Sequence, residues 1–597
     1  MVDLGESDCR QSRRCGAARA GWARWRSSRH LYVVETPGRL FCLEGQPDRL
    51  PREGEALRQW LDGRGGSFRG FEIRWDAAAP GPAQITAFVD PLGTRPIFLL
   101  RTAGRVLLSD KLSSIVANAG GLECDWSALL ECAALGSLYS HQTTIRGAEM
   151  LEAGETVEIE GDRITARRAA PVVLETGARP DPGAGRRLEA ALRTAIAETW
   201  TDPETRLLLS GGLDSRLVLG LAPEVPLKAL TFDLYPEETD IVRQVAAARG
   251  VDCRVSAYPD EHYCGVMRNA YLVAAGMHQA RFINHLGMAL EWRKSGIPCL
   301  IHGYFHNTVF RGWTSERWQK YPDLDFPLAQ YMGRKAHYFD AFSCQDRPVT
   351  SGVLGLLSAD GRREMKRQLG ALADATEIVV AGGIDITFER LLLKAVSRQV
   401  FFGLVHGWLE EIDVASPVFH PAVWEWYATT HPLDRFRDKA IYEIFQGIGY
   451  GLADIVNVNT GLKVGPEPEP RVERWKNQFW YPPARRAWRA WRRLTHAQPA
   501  GEAVVTPASW EKRFRQKPIL EAFRDGIEGV RATPLLDHRA VDAAVTEYLA
   551  GDDRPMLSLW GLATAGQWQQ FVASQGKGNP AVHEFARDGA SGSGGVS

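Results

Sequence analysis

Five small or polar residues within six positions, Ser210, Gly211, Gly212, Asp214 and Ser215, interrupt an apolar run, LLLSGGLDSRLVLGL at 207–221. The glycines let the backbone turn sharply and approach a ligand closely. Leu213 opens a helical pattern, and the unbonded N–H groups of a helix start favour an anion. Ser210 and Ser215 add hydroxyl donors, and Asp214 offers a carboxylate to a magnesium ion carried on phosphates. The chemistry these residues suit is the holding of a pyrophosphate group. The other common phosphate loop, GxxxxGK[ST], is absent, and no lysine follows the glycines. The plain alternative is a glycine-rich strand-to-helix turn with no ligand.

Such a loop needs a strand before it and a helix after it. Leu207, Leu208 and Leu209 read as a buried parallel strand. The segment GRRLEAALRTAIAETW before it has helical spacing. After the loop helix come a strand (PLKALTFDLY), a helix ending at Gly250 (ETDIVRQVAAARG) and a further strand (VDCRVSAY). Another apolar run, IPCLIHGYFHNTVFRG, enters a glycine turn at Gly303. Alternation of this kind predicts a doubly wound parallel sheet with its ligand at the carboxyl ends of the strands. GGIDITFERLLLKAVSRQVFFGLVHGWLEE reads as one long helical stretch.

At 597 residues the chain exceeds one core, so two or more domains are expected. Hydrophobic residues at 45% and charged residues at 24% are ordinary for a globular protein, and a net charge of −1 gives no field for nucleic acid or membrane. No apolar stretch is long enough to span a bilayer, and Arg10, Arg13 and Arg14 precede no signal-type apolar core, so a cytoplasmic protein is expected. Nine cysteines without CxxC pairing argue against a disulfide framework and a zinc site.

The chain before about residue 175 alternates apolar and polar residues between glycine turns, in HLYVVET, FRGFEIRW, QITAFVDPLGTRPIFLL, GRVLLSD and ETVEIEGDRI. This predicts antiparallel strands in two packed sheets, with Gly154 and Gly161 at turns. Late in the chain, Trp488 and Trp491 share a helical face among Arg485, Arg486, Arg489, Arg492 and Arg493. That segment, 475–496, is either a docking surface for a peptide, a partner protein or an anionic surface, or a solvated basic face covering the core. The tryptophans of LSLWGLATAGQWQQFVAS are expected to pack on the catalytic domain, and DGASGSGGVS reads as a flexible tail.

SGGLDS resembles the PP-motif of ATP pyrophosphatases, and its setting resembles the asparagine synthetase family. DPLGTRP at 90–96 resembles the D-x-x-G-x-x-P signature of that family's glutaminase-type domain, and 145–157 the segment leading out of it. The resemblance spans about 30–465. It implies an α/β fold: a β-rich, glutaminase-like sandwich of the Ntn type over 1–175, then a doubly wound ATP-pyrophosphatase domain of the adenine nucleotide alpha hydrolase kind over 185–470. A helical extension over 471–585 and a tail over 586–597 follow.

Family members use ATP and Mg²⁺ to adenylate a carboxylate, release pyrophosphate and let an amine displace AMP. The resemblance places ATP at the strand ends, with Leu230, Thr231 and Phe232 as an adenine wall, residues that serve equally as core. Gly303 resembles the turn of the second acidic motif, G-x-x-x-D, but Asn307 stands where its aspartate is expected. An asparagine carbonyl still ligates Mg²⁺ without a full charge. His302 and His306 beside it are either phosphate contacts or solvated loop side chains.

Ser397-Arg398-Gln399 resembles the family's arginine-bearing helix, Asn459-Thr460-Gly461 a closing loop, and His420 replaces the usual aspartate of a P-F-x-D turn. Lys439, with Arg435 as substitute, resembles the cation that stabilises charge at the α-phosphate.

The glutaminase chemistry needs an N-terminal cysteine as nucleophile, whereas position 2 is Val2 and Cys9 and Cys15 lie inside the chain. Glutaminase activity is therefore expected to be absent, with the amine coming from the substrate. The leading expectation is ATP-dependent amide formation, as in lasso-peptide macrolactam closure on a precursor peptide. The alternatives are a tailoring enzyme amidating a sugar acid or secondary metabolite, and a degenerate binding protein.

Overall fold

The computed structural model describes residues 10–15, 18–23, 31–47, 50–52, 55–61, 66–76, 78, 83–135, 138, 142–169, 180–200, 202–223, 227–233, 236–257, 270–277, 286–310, 349–375, 379–381, 384–386, 393, 405, 412–435, 438–458, 463–464, 514–552 and 555–574. Ser397 to Gln399, Asn459 to Gly461, the Trp/Arg-rich segment 475–496 and the tail lie outside them.

Period-two alternation builds the first part. Strands β3 (Leu31–Thr36), β4 (Arg39–Pro47), β5 (Gly66–Arg74), β6 (Gln84–Val89), β10 (Glu155–Glu160) and β11 (Arg163–Ala169) form an antiparallel sheet in the order β11-β10-β6-β5-β4-β3. Strands β7 (Phe98–Thr102), β8 (Arg105–Ser109) and β9 (Ala148–Met150) form a second, in the order β8-β7-β9. Ala87, Val89, Val157 and Ile159 of the large sheet share one core with Ile97, Leu99 and Leu151. Phe88, on the opposite face of β6, packs with Phe41, Phe68 and Trp60 of the short helix α1 (Leu57–Leu61). These are the two sheets the alternation predicts, and Gly154 and Gly161 turn between strands at φ +68° and +63°. The arginine-rich start adds a hairpin that was not expected, β1 (Arg10–Cys15) with β2 (Ala18–Ala23).

The far face of the smaller sheet is covered by α2 (Leu112–Ala119) and α3 (Trp126–Leu135). The same core takes Trp568 and Phe571 from α11 (Met556–Ala573). Trp560 meets the expected placement, sharing the core of the parallel-sheet part among Phe514, Phe523 and Tyr548, whereas Trp568 corrects it by completing the N-terminal layer. The helix α11 crosses α10 (Lys517–Gly529) at glycines, because a Cβ on Gly566 would lie 1.7 Å from the Gly526 carbonyl oxygen.

The central sheet is parallel throughout, in the order β14-β13-β12-β15-β18, formed by β12 (Arg206–Leu208), β13 (Lys228–Asp233), β14 (Asp252–Ala257), β15 (Cys299–Ile301) and β18 (Asp413–Ala415). Helices α4 (Ala184–Thr199), α5 (Leu213–Leu221) and α6 (Pro236–Arg249) fall where the sequence predicts them. Strands added after β12 run outward on one side and β15 and β18 on the other, so the chain reverses direction between β12 and β15. In such sheets that reversal opens a crevice at the carboxyl ends of the two strands.

One expected helix begins differently. Ile384–Asp385 (β17), inside the stretch expected to be helical, pairs antiparallel with Val380–Ala381 (β16). Among the described residues no helix is long and apolar enough to cross a membrane.

Candidate active site

The loop after β12 is clipped shut by its own serines. Ser215 Oγ accepts from the Ser210 N–H at 3.0 Å and lies 2.9 Å from Ser210 Oγ, which takes the Gly212 N–H at 3.3 Å. Gly212 caps α5, so Leu213, Asp214 and Ser215 form its first turn. Gly211 has no room for a side chain, since a Cβ there would meet Val458 Cβ at 3.0 Å and Ile241 Cγ2 at 3.2 Å. Its carbonyl accepts from Val458 N and from Arg216 Nη2, each at 3.0 Å.

Arg216 is fully buried and ties the loop to a distant segment. Its guanidinium donates to the carbonyls of Leu452 (3.1 Å), Ile455 (2.7 Å) and Val456 (3.0 Å). Burial lowers its pKa to about 10. Sequence reasoning missed this anchor, although a lone arginine in the apolar helix LDSRLVLGL was its visible signal. Glu238, in the first turn of α6, was missed too: its Oε1 accepts from the Gly211 N–H at 3.1 Å, and burial raises its pKa.

The loop after β15 meets the first one at the chain reversal. A Cβ on Gly303 would lie 2.7 Å from Ser215 N and 2.8 Å from the Asp214 carbonyl carbon, so only glycine lets these backbones touch. Phe305 takes φ +78°, an uncommon conformation for a bulky residue, and is buried against Phe419 and Trp424.

His302 and His306 are neither solvated nor cationic phosphate contacts. They are 1% and 0% exposed, and both pKa values fall to about 3. Burial is the main cause for each. The neighbouring His306 adds to it for His302, and the Asp214 backbone opposes it for His306. His302 Nδ1 accepts from Tyr304 N at 3.2 Å, and its carbonyl accepts from Ser416 Oγ at 3.0 Å. Asn307 follows His306 in the helix α7 (His306–Phe310).

The crevice thus brings together Ser210, Gly211, Gly212, Leu213, Asp214, Ser215 and Gly303 from loops ninety residues apart in the sequence. Residues 187–439 match the family model described as asparagine synthase. This domain belongs to the asparagine synthetase family. No curated protein matches the chain.

Other residues that the resemblance points to lie elsewhere in the asparagine synthase domain or at its edge. Leu230 is fully buried, paired beside Leu208, and its side chain belongs to the core. Phe232 is half-buried at the end of β13 with its ring 6.3 Å from that of Trp292. Lys439 opens α9 (Lys439–Gly447) and its exposed Nζ lies 3.0 Å from Asp434 Oδ1. Asp434 is buried and also accepts from the Asp181 N–H at 2.6 Å, ahead of α4. Arg435 is fully buried, with its guanidinium 4.4 Å from the Tyr427 ring centroid. Among the described residues no hydrogen bond or ion pair joins Lys439 to the phosphate loop. His420 keeps a capping role: its Nδ1 accepts from Ala422 N at the start of α8 (Pro421–Thr429), and its Nε2 lies 2.9 Å from Glu198.

The DPLGTRP turn also reaches this end of the sheet. Thr94 and Arg95 line a small, mostly apolar space with His302, Val414, Ala415, Ser416 and Phe419. Asp90 organises the turn by accepting from Leu92 N, Thr94 N, Thr94 Oγ1 and Phe68 N, and its burial nevertheless raises its pKa to about 6.

Proposed function

We propose that the chain is an AMP-forming ligase that adenylates a carboxylate and joins it to an amine of its substrate. The observation that carries this reading is the meeting of the SGGLDS loop with the Gly303 turn at the chain reversal of an asparagine synthase domain. Loop N–H groups and serine hydroxyls at a helix start are suited to the β- and γ-phosphates. A carboxylate oxygen attacks the α-phosphorus, the bond to the β-phosphate oxygen breaks, and pyrophosphate leaves. The amine nitrogen then attacks the acyl carbon, AMP departs, and the amine proton passes to solvent.

The residues fit a cation that shares its ligands with the nucleotide. Asp214 offers one carboxylate in the loop, Asn307 stands in the following turn, and among the described residues no group of three or more His, Cys, Asp or Glu side chains forms a self-sufficient cage. Magnesium bound in this way, through one or two protein oxygens and phosphates, would neutralise phosphate charge. Lys439 is the cation assigned to the α-phosphate.

The test is exchange of labelled pyrophosphate into ATP with magnesium, across candidate carboxylates. Asp214→Ala is expected to abolish exchange and Lys439→Ala to lower it about 100-fold, with both variants folded by circular dichroism. Asn307→Asp is expected to tighten magnesium binding. Absence of both exchange and Mg·ATP binding in the wild type would sink the reading. Offering a precursor peptide tests the finer expectation: macrolactam closure removes one water from the peptide mass, whereas amidation of an added sugar acid marks a tailoring enzyme. Mg·ATP binding without turnover on any acceptor marks a binding protein.

A further inference from the structure

Glu238 occupies a position that a phosphate-binding loop ordinarily keeps for its ligand. Its Oε1 accepts from the N–H of Gly211, the first glycine of the loop, at 3.1 Å. Glu238 stands in the first turn of α6, and Ile241, one turn further along, packs at the place where a Gly211 Cβ would lie. From the loop after β15, the Tyr304 phenol feels the Glu238 charge, which adds to burial in raising its pKa. The carboxylate therefore faces both loops that form the crevice. Arg216, the buried cation behind the loop, is committed to the carbonyls of Gly211, Leu452, Ile455 and Val456.

A loop that receives a polyanion gains from every free N–H and loses from every fixed negative charge nearby. Here one donor is already spent on a carboxylate, and that carboxylate repels the incoming phosphates. A divalent cation bound with the nucleotide reverses the balance, because it attracts the phosphates and the carboxylate alike.

Resting on the ligase reading above, we propose that Glu238 is a specificity-determining residue: it makes the loop accept a triphosphate only together with a divalent cation, and reject metal-free nucleotide and free pyrophosphate. The role concerns which form of the ligand binds, not the chemical step.

Calorimetric titration of the full chain decides this, with ATP in excess EDTA, ATP in excess magnesium, and pyrophosphate in EDTA as the three probes. Glu238→Gln keeps the size and the acceptor oxygen while removing the charge. It is expected to bind ATP and pyrophosphate in EDTA at least tenfold more tightly than the wild type, with a much smaller change in magnesium. Glu238→Ala, which also frees the Gly211 N–H, is expected to gain as much or more in EDTA and serves if the glutamine variant folds poorly. Unchanged affinity in EDTA, or an equal loss with and without magnesium, would overturn the proposal and leave Glu238 as a brace for the loop. A wild type that binds no Mg·ATP at all would instead overturn the nucleotide reading on which it rests.

Discussion

Gly303 and the two histidines beside it show how much the site depends on single side chains, or on their absence. A methyl group on Gly303 would press on the backbone of Asp214 and Ser215, and overpacking of this kind costs roughly 1–3 kcal/mol. Gly303→Ala is therefore expected to lower the urea midpoint and weaken Mg·ATP binding together, whereas Gly250→Ala, at an open helix end, should leave nucleotide binding intact. The sequence announced Gly303 as a turn but not as a contact, since touching backbones leave no pattern. His302 and His306 were legible only as polar loop residues. His302 is covered by an element far along the chain, Ser416 after β18, while His306 lies against the Phe310 ring of its own helix, α7.

Those histidines also set a pH dependence. Each has a folded pKa of about 3 against an unfolded value near 6.5, so the unfolded chain binds more protons between these limits. Stability is full above pH 6.5 and falls as the pH drops toward 3, by up to about 1.4 kcal/mol per pH unit for each ring. Asp90 acts in the opposite sense, because its raised pKa of about 6 favours the folded state at low pH and loses that contribution between about 4 and 6. Two rings outweigh one carboxyl, so chemical denaturation is expected to show net acid destabilisation. His306→Leu should flatten that slope and Asp90→Asn should steepen it; a pH-independent midpoint in the wild type would contradict both assignments.

At the level of elements, the parallel strands and their helices were readable because continuous apolar runs and 3.6-residue spacing survive in the chain. LLL, ALTF and CLI became β12, β13 and β15, and the phosphate loop fell between β12 and α5 as its glycines require. What the sequence hid was the tether behind the loop. Arg216 joins α5 to the segment 452–458 through the carbonyls of Leu452, at the start of a short 3-10 turn (Leu452–Asp454), and of Ile455 and Val456 beyond it. Removing the guanidinium strands these acceptors at a cost of roughly 1–3 kcal/mol each where burial persists. Arg216→Leu is expected to destabilise the protein by about 3 kcal/mol or more and to open 452–458 to protease, with Arg216→Lys intermediate because one ammonium cannot span the same carbonyls. Equal cleavage rates in all three forms would remove the tether from the account. Ile384–Asp385 is strand rather than the start of a helix, and the sequence carried a local warning: two adjacent glycines precede it, and glycine is a poor helix former.

On the scale of the molecule, the two-sheet N-terminal part, the parallel sheet and the C-terminal helices were visible as changes of periodicity, but their mutual packing was not. One contact between early and late parts of the chain is made by α11, whose Gly561 lies against Ala133 of α3 and whose Trp568 fills the layer beside Leu129 and Gly276. A ribosome delivers α3 early and α11 only after the whole asparagine synthase domain. Until then the helical layer under β7, β8 and β9, although partly covered by Leu272, Ala275 and Met277, lacks Trp568 and Phe571 in its core, and exposed apolar surface of that kind invites aggregation or chaperone binding. This layer is thus finished by a helix translated long after it.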